Sequence, residues 1–163
     1  MTDGQDSSAP ALPGARRLAA GAGAGAVATL AMSAVMLTTV LTGASPMPKP
    51  VPAALVAHTL GPLPEPALMA LAALTHLAYG AIAGAILAGL LRRVTLGKAL
   101  GYGAGLWALM GLAWLPYVGW GAFGTAITVK IAAATLLLHL IYGAILGLLL
   151  DRKPATERAP ATQ

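Results

Sequence analysis

The chain has 163 residues, of which 58% are hydrophobic and only 9% charged, with a net charge of +5, a mean hydropathy of +0.78 and no cysteine. Soluble domains carry about 25% charged residues, so this composition cannot coat a water-facing surface, and it excludes a typical soluble enzyme as well as thiol or disulfide chemistry. The basic residues form small groups and no single stripe, which excludes nucleic acid as a partner and leaves the lipid bilayer.

Residues 1–17 are polar, with Gly, Ser, Pro and Asp, and read as a disordered tail. Four apolar segments follow, over about 18–41, 66–91, 99–117 and 126–150, and residues 151–163 form a second tail. Each segment can cross a hydrocarbon core of about 30 Å at 1.5 Å per residue. Backbone groups in lipid must be satisfied within the segment, and the alternation of a membrane barrel is absent. The expected fold is therefore all-α, a four-helix transmembrane bundle. The first run, Leu18 to Leu41, is too long for the roughly 7–15-residue core of a signal peptide and reads as an uncleaved span.

Orientation follows from Lys and Arg. Arg16 and Arg17, then Arg92, Arg93 and Lys98, then Arg152, Lys153 and Arg158 fall on one side; Lys49 and Lys130 fall on the other. The positive-inside rule then predicts an inner (plasma) membrane protein with both termini in the cytoplasm. Tyr117 and Trp120 belong at the opposite interface, to which Lys130 can snorkel. The long link 42–65 is rich in proline: Pro46, Pro48, Pro50 and Pro52 favour an extended polyproline-like stretch, and Ala53–Leu60 fits a short interfacial helix carrying a solvated His58.

The most informative feature is a repeat. The second segment contains His76-Leu77-Ala78-Tyr79-Gly80-Ala81-Ile82-Ala83-Gly84 and the fourth His139-Leu140-Ile141-Tyr142-Gly143-Ala144-Ile145-Leu146-Gly147, identical at seven of nine positions. Composition accounts for repeated Ala, Gly and Leu, but less readily for the shared His and Tyr. A weaker echo links Gly23–Ala28 to Gly103–Ala108. Together they predict two helix hairpins of the same topology, related by an axis along the membrane normal.

Gly80 and Gly84, like Gly143 and Gly147, are four apart and share a helix face, so they predict close helix packing. Gly21/Gly25 and Gly101/Gly105 offer the same spacing in the first and third segments. Such seams also suit a homo-oligomer.

His76 and His139 lie 16 and 13 residues from Arg92 and Arg152, near mid-depth or slightly beyond, with Tyr79 and Tyr142 three residues on. The plain reading is that each imidazole and phenol hydrogen-bonds across helices and specifies packing. Intramembrane ionisable groups are also site candidates. Two functional alternatives follow: a small transporter or channel-like protein with a path lined by His76, Tyr79, His139 and Tyr142, or a haem ligated by His76 and His139 in electron transfer. No Asp or Glu lies inside a span, which argues against a carboxylate proton relay. No catalytic residue and no metal site is expected: Gly23-x-Gly25-x-x-Ala28 lacks the strand a dinucleotide fingerprint needs, and Met32 and Met36 read as packing.

The opening Ala28-Thr29-Leu30-Ala31-Met32-Ser33, the Pro-x-Pro stretch at Pro46–Pro52 and the His-x-x-Tyr-Gly segments resemble a family of small prokaryotic four-helix membrane proteins of uncharacterised function. The resemblance covers roughly residues 18–150 and implies no activity. Richness in Ala, Gly and Pro without Asn fits a GC-rich bacterial genome. The function expected first is a non-enzymatic membrane module assembled through its glycine seams.

Overall fold

The computed structural model describes residues 13–151. Among them no strand is found, and four helices are long and apolar enough to cross a membrane. They are α1 (Pro13–Leu41), α3 (Glu65–Leu90), α4 (Leu96–Tyr117) and α5 (Lys130–Leu150), while the short α2 (Val51–Leu60) lies in the first long link. Large side chains such as Leu30, Leu74, Ile82, Leu112, Leu137 and Leu148 stand on the outer surface, and the helix seams in the interior are rich in Gly, Ala and Thr, with larger residues such as Leu87, Leu115, Ile131 and Leu146 between them. A soluble bundle inverts that order; here the apolar coat faces lipid. The protein is an all-α, multi-pass membrane protein.

Helix starts follow local chemistry and differ from the sequence expectation by a few residues. α1 begins at Pro13, so Arg16 and Arg17 belong to its first turns and not to a tail. Proline suits a first helical turn, where its missing N–H has no partner to lose. Arg17 reaches across to donate to the carbonyls of Ala88 and Leu91, at 2.7 Å each, and so caps the C-terminal end of α3. α4 starts at Leu96 behind Thr95, whose hydroxyl accepts from the Lys98 amide. α5 starts only at Lys130, because Gly121 and Gly124 take positive φ and the chain turns through a 3₁₀ segment, Ala122–Gly124. Lys130 is exposed there. Residues 1–12 and 152–163, with Arg152, Lys153 and Arg158, lie outside the described residues.

The link between α1 and α3 is partly extended, as its prolines predict. Pro50 and Pro64 sit at φ −55°, ψ 135° and φ −54°, ψ 138°, the polyproline region, and each introduces a helix. α2 is more deeply engaged than an interfacial helix: Val51, Ala53, Ala54 and Val56 are buried, and it packs against α3. His58 is not merely solvated, since its ring meets Tyr117 edge-on at 4.7 Å. Trp120 is buried and not spread along an interface, whereas Tyr117 is exposed.

α1 packs antiparallel on α3, α4 on α5, and α1 on α5, while α3 and α4 are not a closely packed pair. The α1–α3 seam is glycine on glycine. A β-carbon built on Gly84 would stand 2.8 Å from Cα of Gly25, and one on Gly21 would meet Cβ of Ala88 at 2.5 Å. In the α4–α5 seam Gly143 and Gly147 meet Ala99, Leu100 and Leu96, and Gly103 meets His139 and Gly143. All four repeat glycines are thus used within one chain. Gly101 and Gly105 are not: a β-carbon on either meets nothing within 4 Å. They point away, and Ala99 and Gly103 do their work, so the sequence echo from Gly23 to Gly103 is out of register with the packing.

Candidate functional site

On the half of the bundle away from Arg17 and Arg93, the packed core opens into a cavity of about 580 Å³. α1, α2, α3, α4 and α5 all contribute to its wall. It exists because the glycine seams close only the basic half. There Ala28, Ala83, Leu87, Ala99 and Leu146 fill the interior. Beyond Gly80 and Gly143 the helices carry Thr29, Met32, His76, Thr135, Leu138 and His139, and these larger residues leave space between them.

His76, Tyr79, His139 and Tyr142, the four path residues read from the sequence, all line this one cavity. The imidazoles are held differently. His139 Nδ1 is 2.8 Å from the carbonyl oxygen of Thr135, one turn back on its own helix. A carbonyl can only accept, so Nδ1 carries the hydrogen. His76 Nδ1 lies 3.2 Å from the Ser33 hydroxyl of α1, a bond that works in either direction. Neither Nε2 has a hydrogen-bond partner among the described residues, and neither is a buried orphan. Both are therefore accessible atoms on side chains that line the cavity.

The tyrosines divide similarly. The Tyr142 hydroxyl donates to the carbonyl of Gly80 at 2.7 Å, tying the second hairpin to the first at the cavity floor. Tyr79 stands at the edge, on the side where α3 and α4 are not closely packed. Its partner across that gap is Trp114, also on the cavity wall and also reaching the outer surface. On the basic half the same gap is bridged by Tyr102, whose hydroxyl donates to the Ala83 carbonyl at 2.9 Å.

Several wall residues were not legible beforehand. Met32, Met36, Met47 and Met110, four of the five methionines among the described residues, line the cavity. Thioether side chains fill irregular space and adapt to different shapes. Met110 and Trp114 bound a π-helical segment, in which the Leu115 amide bonds back five residues to Met110. Pro116 has no N–H to offer the Leu112 carbonyl, which loosens this turn. Such turns recur at functional sites. Gly111 within it has the Phe123 ring in place of a side chain, and that ring also packs on Trp107 at 4.5 Å. A proline after Met-Gly-Leu-Ala-Trp was the available signal.

Among the described residues no charged side chain lines the cavity. Among the described residues no group of three or more His, Cys, Asp or Glu could hold a metal ion. The arrangement can bind an uncharged, largely apolar molecule and orient it by a few hydrogen bonds. No curated protein and no solved structure matches the chain. Residues 15–160 match the model of a family of unknown function, DUF6789, and the chain belongs to that family.

Proposed function

We propose that the protein is a non-enzymatic module of the bacterial inner membrane that holds a small molecule in a one-sided cavity within the bilayer. In this reading both termini are cytoplasmic and the cavity lies in the outer half of the membrane. The two hairpins descend from a duplicated unit, and their glycine seams serve as a rigid base. The single observation that carries the proposal is that His76 and His139, from two different helices, line one cavity roofed by α2 and walled by every spanning helix.

A continuous solute path is supported less well. The basic half is filled by Ala83, Leu87, Ala99 and Leu146, and Tyr142 is bonded across the cavity floor. A haem between His76 and His139 is the second reading, favoured by two accessible Nε2 atoms on side chains that line one space. Against it, no Arg or Lys among the described residues lines that space to take the propionates.

The proposal is tested by isolating the protein with its native lipids, alongside Leu106→Trp, which fills the cavity from α4. Mass spectrometry is expected to find a small molecule enriched over bulk lipid with the wild type and lost with the variant. Identical profiles for the two would overturn the reading, and a Soret band in the wild type would replace it with haem.

A further inference from the structure

The hydrogen-bonding groups in the cavity wall are unequally spent. The hydroxyls of Thr29, Thr75 and Thr135 donate to carbonyls one turn back on their own helices, to Gly25, Leu71 and Ile131 at 2.7–2.8 Å. The Tyr142 hydroxyl is spent on Gly80. Each of these protons is unavailable to a ligand, while the oxygen lone pairs stay free. His139 adds the strongest acceptor. A neutral imidazole that donates from Nδ1 keeps its lone pair on Nε2, an accessible atom on a side chain that lines the cavity. His76 can present either a lone pair or an N–H, because its bond to Ser33 runs in either direction; apart from that ring, these deep groups offer acceptors and no free donor.

Such a wall selects a ligand that brings a donor. A cationic donor such as an ammonium is disfavoured, because among the described residues no carboxylate lines the cavity to offset its desolvation. The remaining wall is aliphatic and thioether, with Met32, Met36, Met110 and Leu138 around the imidazoles. Building on the cavity reading above, we infer that the ligand is an uncharged hydroxylated amphiphile, an alcohol or phenol with a hydrocarbon body, whose hydroxyl donates to Nε2 of His139. Its route in is the loosely packed side between α3 and α4, past Tyr79 and Trp114, directly from the lipid.

The test is equilibrium binding to the full-length protein in lipid nanodiscs, with a long-chain alkylphenol and its methyl ether as matched probes. The ether keeps the shape and loses only the donor. The wild type is expected to bind the phenol roughly tenfold more tightly than the ether, the scale of one hydrogen bond to an otherwise unpaired acceptor. His139→Phe is expected to remove that preference, so that the ratio of the two affinities falls to about one. Equal binding of the two probes by the wild type overturns the hydroxyl inference and leaves the cavity reading standing. Failure of both probes to bind overturns the two together. A preference that survives in His139→Phe overturns the assignment to Nε2. Nitrogen-15 NMR of the wild-type imidazoles needs no variant: hydrogen on Nδ1 of His139 is expected, and hydrogen on Nε2 overturns the inference.

Discussion

His76-Leu77-Ala78-Tyr79-Gly80 and His139-Leu140-Ile141-Tyr142-Gly143 place the same three side-chain types at the same spacing on two helices. Their surroundings differ. Tyr142 is 2% exposed and bonds to Gly80 of the other hairpin, whereas Tyr79 is 38% exposed and makes no counterpart bond to Gly143. His139 is fixed by its own backbone, while His76 shares a bond with Ser33 on α1. The helices facing each segment explain the divergence. α3 meets α1 through Gly21 and Gly25, with Thr29 next to Gly80; α5 meets α4 through Ala99, with Gly103 next to His139. A local motif sets which groups are available, and the neighbouring helix sets what each one bonds to. One half supplies a locked acceptor and a buried strut, and the other supplies an adjustable imidazole and a phenol at the cavity's edge.

The largest expected effect breaks the two seams. Gly84→Leu drives a side chain into the backbone of α1, and Gly143→Leu drives one into Ala99 and Leu100 of α4. Neither seam has a flexible side chain to move aside, so each substitution should cost at least the 1–3 kcal/mol or so typical of overpacking, and more where backbones must separate. Gly84→Leu is expected to be the worse of the two, since its β-carbon would meet the Gly21 carbonyl oxygen and both Cα and N of Gly25 within 2.9 Å, whereas at Gly143 only the Ala99 carbonyl oxygen lies that close and the next backbone atoms stand at 3.2 Å. The check is reversible unfolding in mixed micelles; a Gly84→Leu variant as stable as the wild type would show that the α1–α3 approach is looser than drawn.

The comparison is sharpened by the tyrosines. Tyr142→Phe deletes the bond to Gly80 from a buried position, at an expected cost of about 0.6 kcal/mol and up to about 1.7, the range for hydrogen bonds within membranes. Tyr79→Phe removes a hydroxyl at the cavity edge and should stay within about 0.5 kcal/mol. The same unfolding assay ranks them, and equal losses would mean that the two segments are equivalent after all.

Much of the architecture was legible because lipid imposes a simple rule: a long apolar run must be a helix, and its ends can be read from charge and proline. Gly80, Gly84, Gly143 and Gly147 were legible as seam positions because two small residues four apart define a face whatever the partner is. Helix register against the partner was not, as Gly101 and Gly105 show: in a chain this rich in Gly and Ala, spacing marks several faces of α4 and only packing against α5 chooses among them. The roof was likewise half visible. The prolines placed the start of α2 at Ala53, two residues late, because Pro52 sits in the helix's first turn and does not extend the stretch before it; the helix's uniform apolar composition does not say that Val51 and Val56 turn toward the cavity. The direction of each imidazole bond depends on Ser33 and on the Thr135 carbonyl, neither of which any spacing rule singles out.

The smallest expected effect is the most discriminating test of that register. Gly101 and Gly105 lie on the exposed side of α4, where an added β-carbon meets nothing within 4 Å. Gly101→Leu therefore adds apolar surface toward lipid, which gains little because lipid is as apolar as leucine, and it replaces glycine by a better helix former, worth up to about 1 kcal/mol in water and less in a bilayer. The expected change is within about 0.5 kcal/mol, with no loss of fold. Had the third segment used Gly101 and Gly105 in the way the first uses Gly21 and Gly25, the same substitution would cost as much as Gly84→Leu. Measuring the two side by side in one unfolding series separates these registers directly, because the packed register predicts opposite rankings for substitutions that look identical in the sequence.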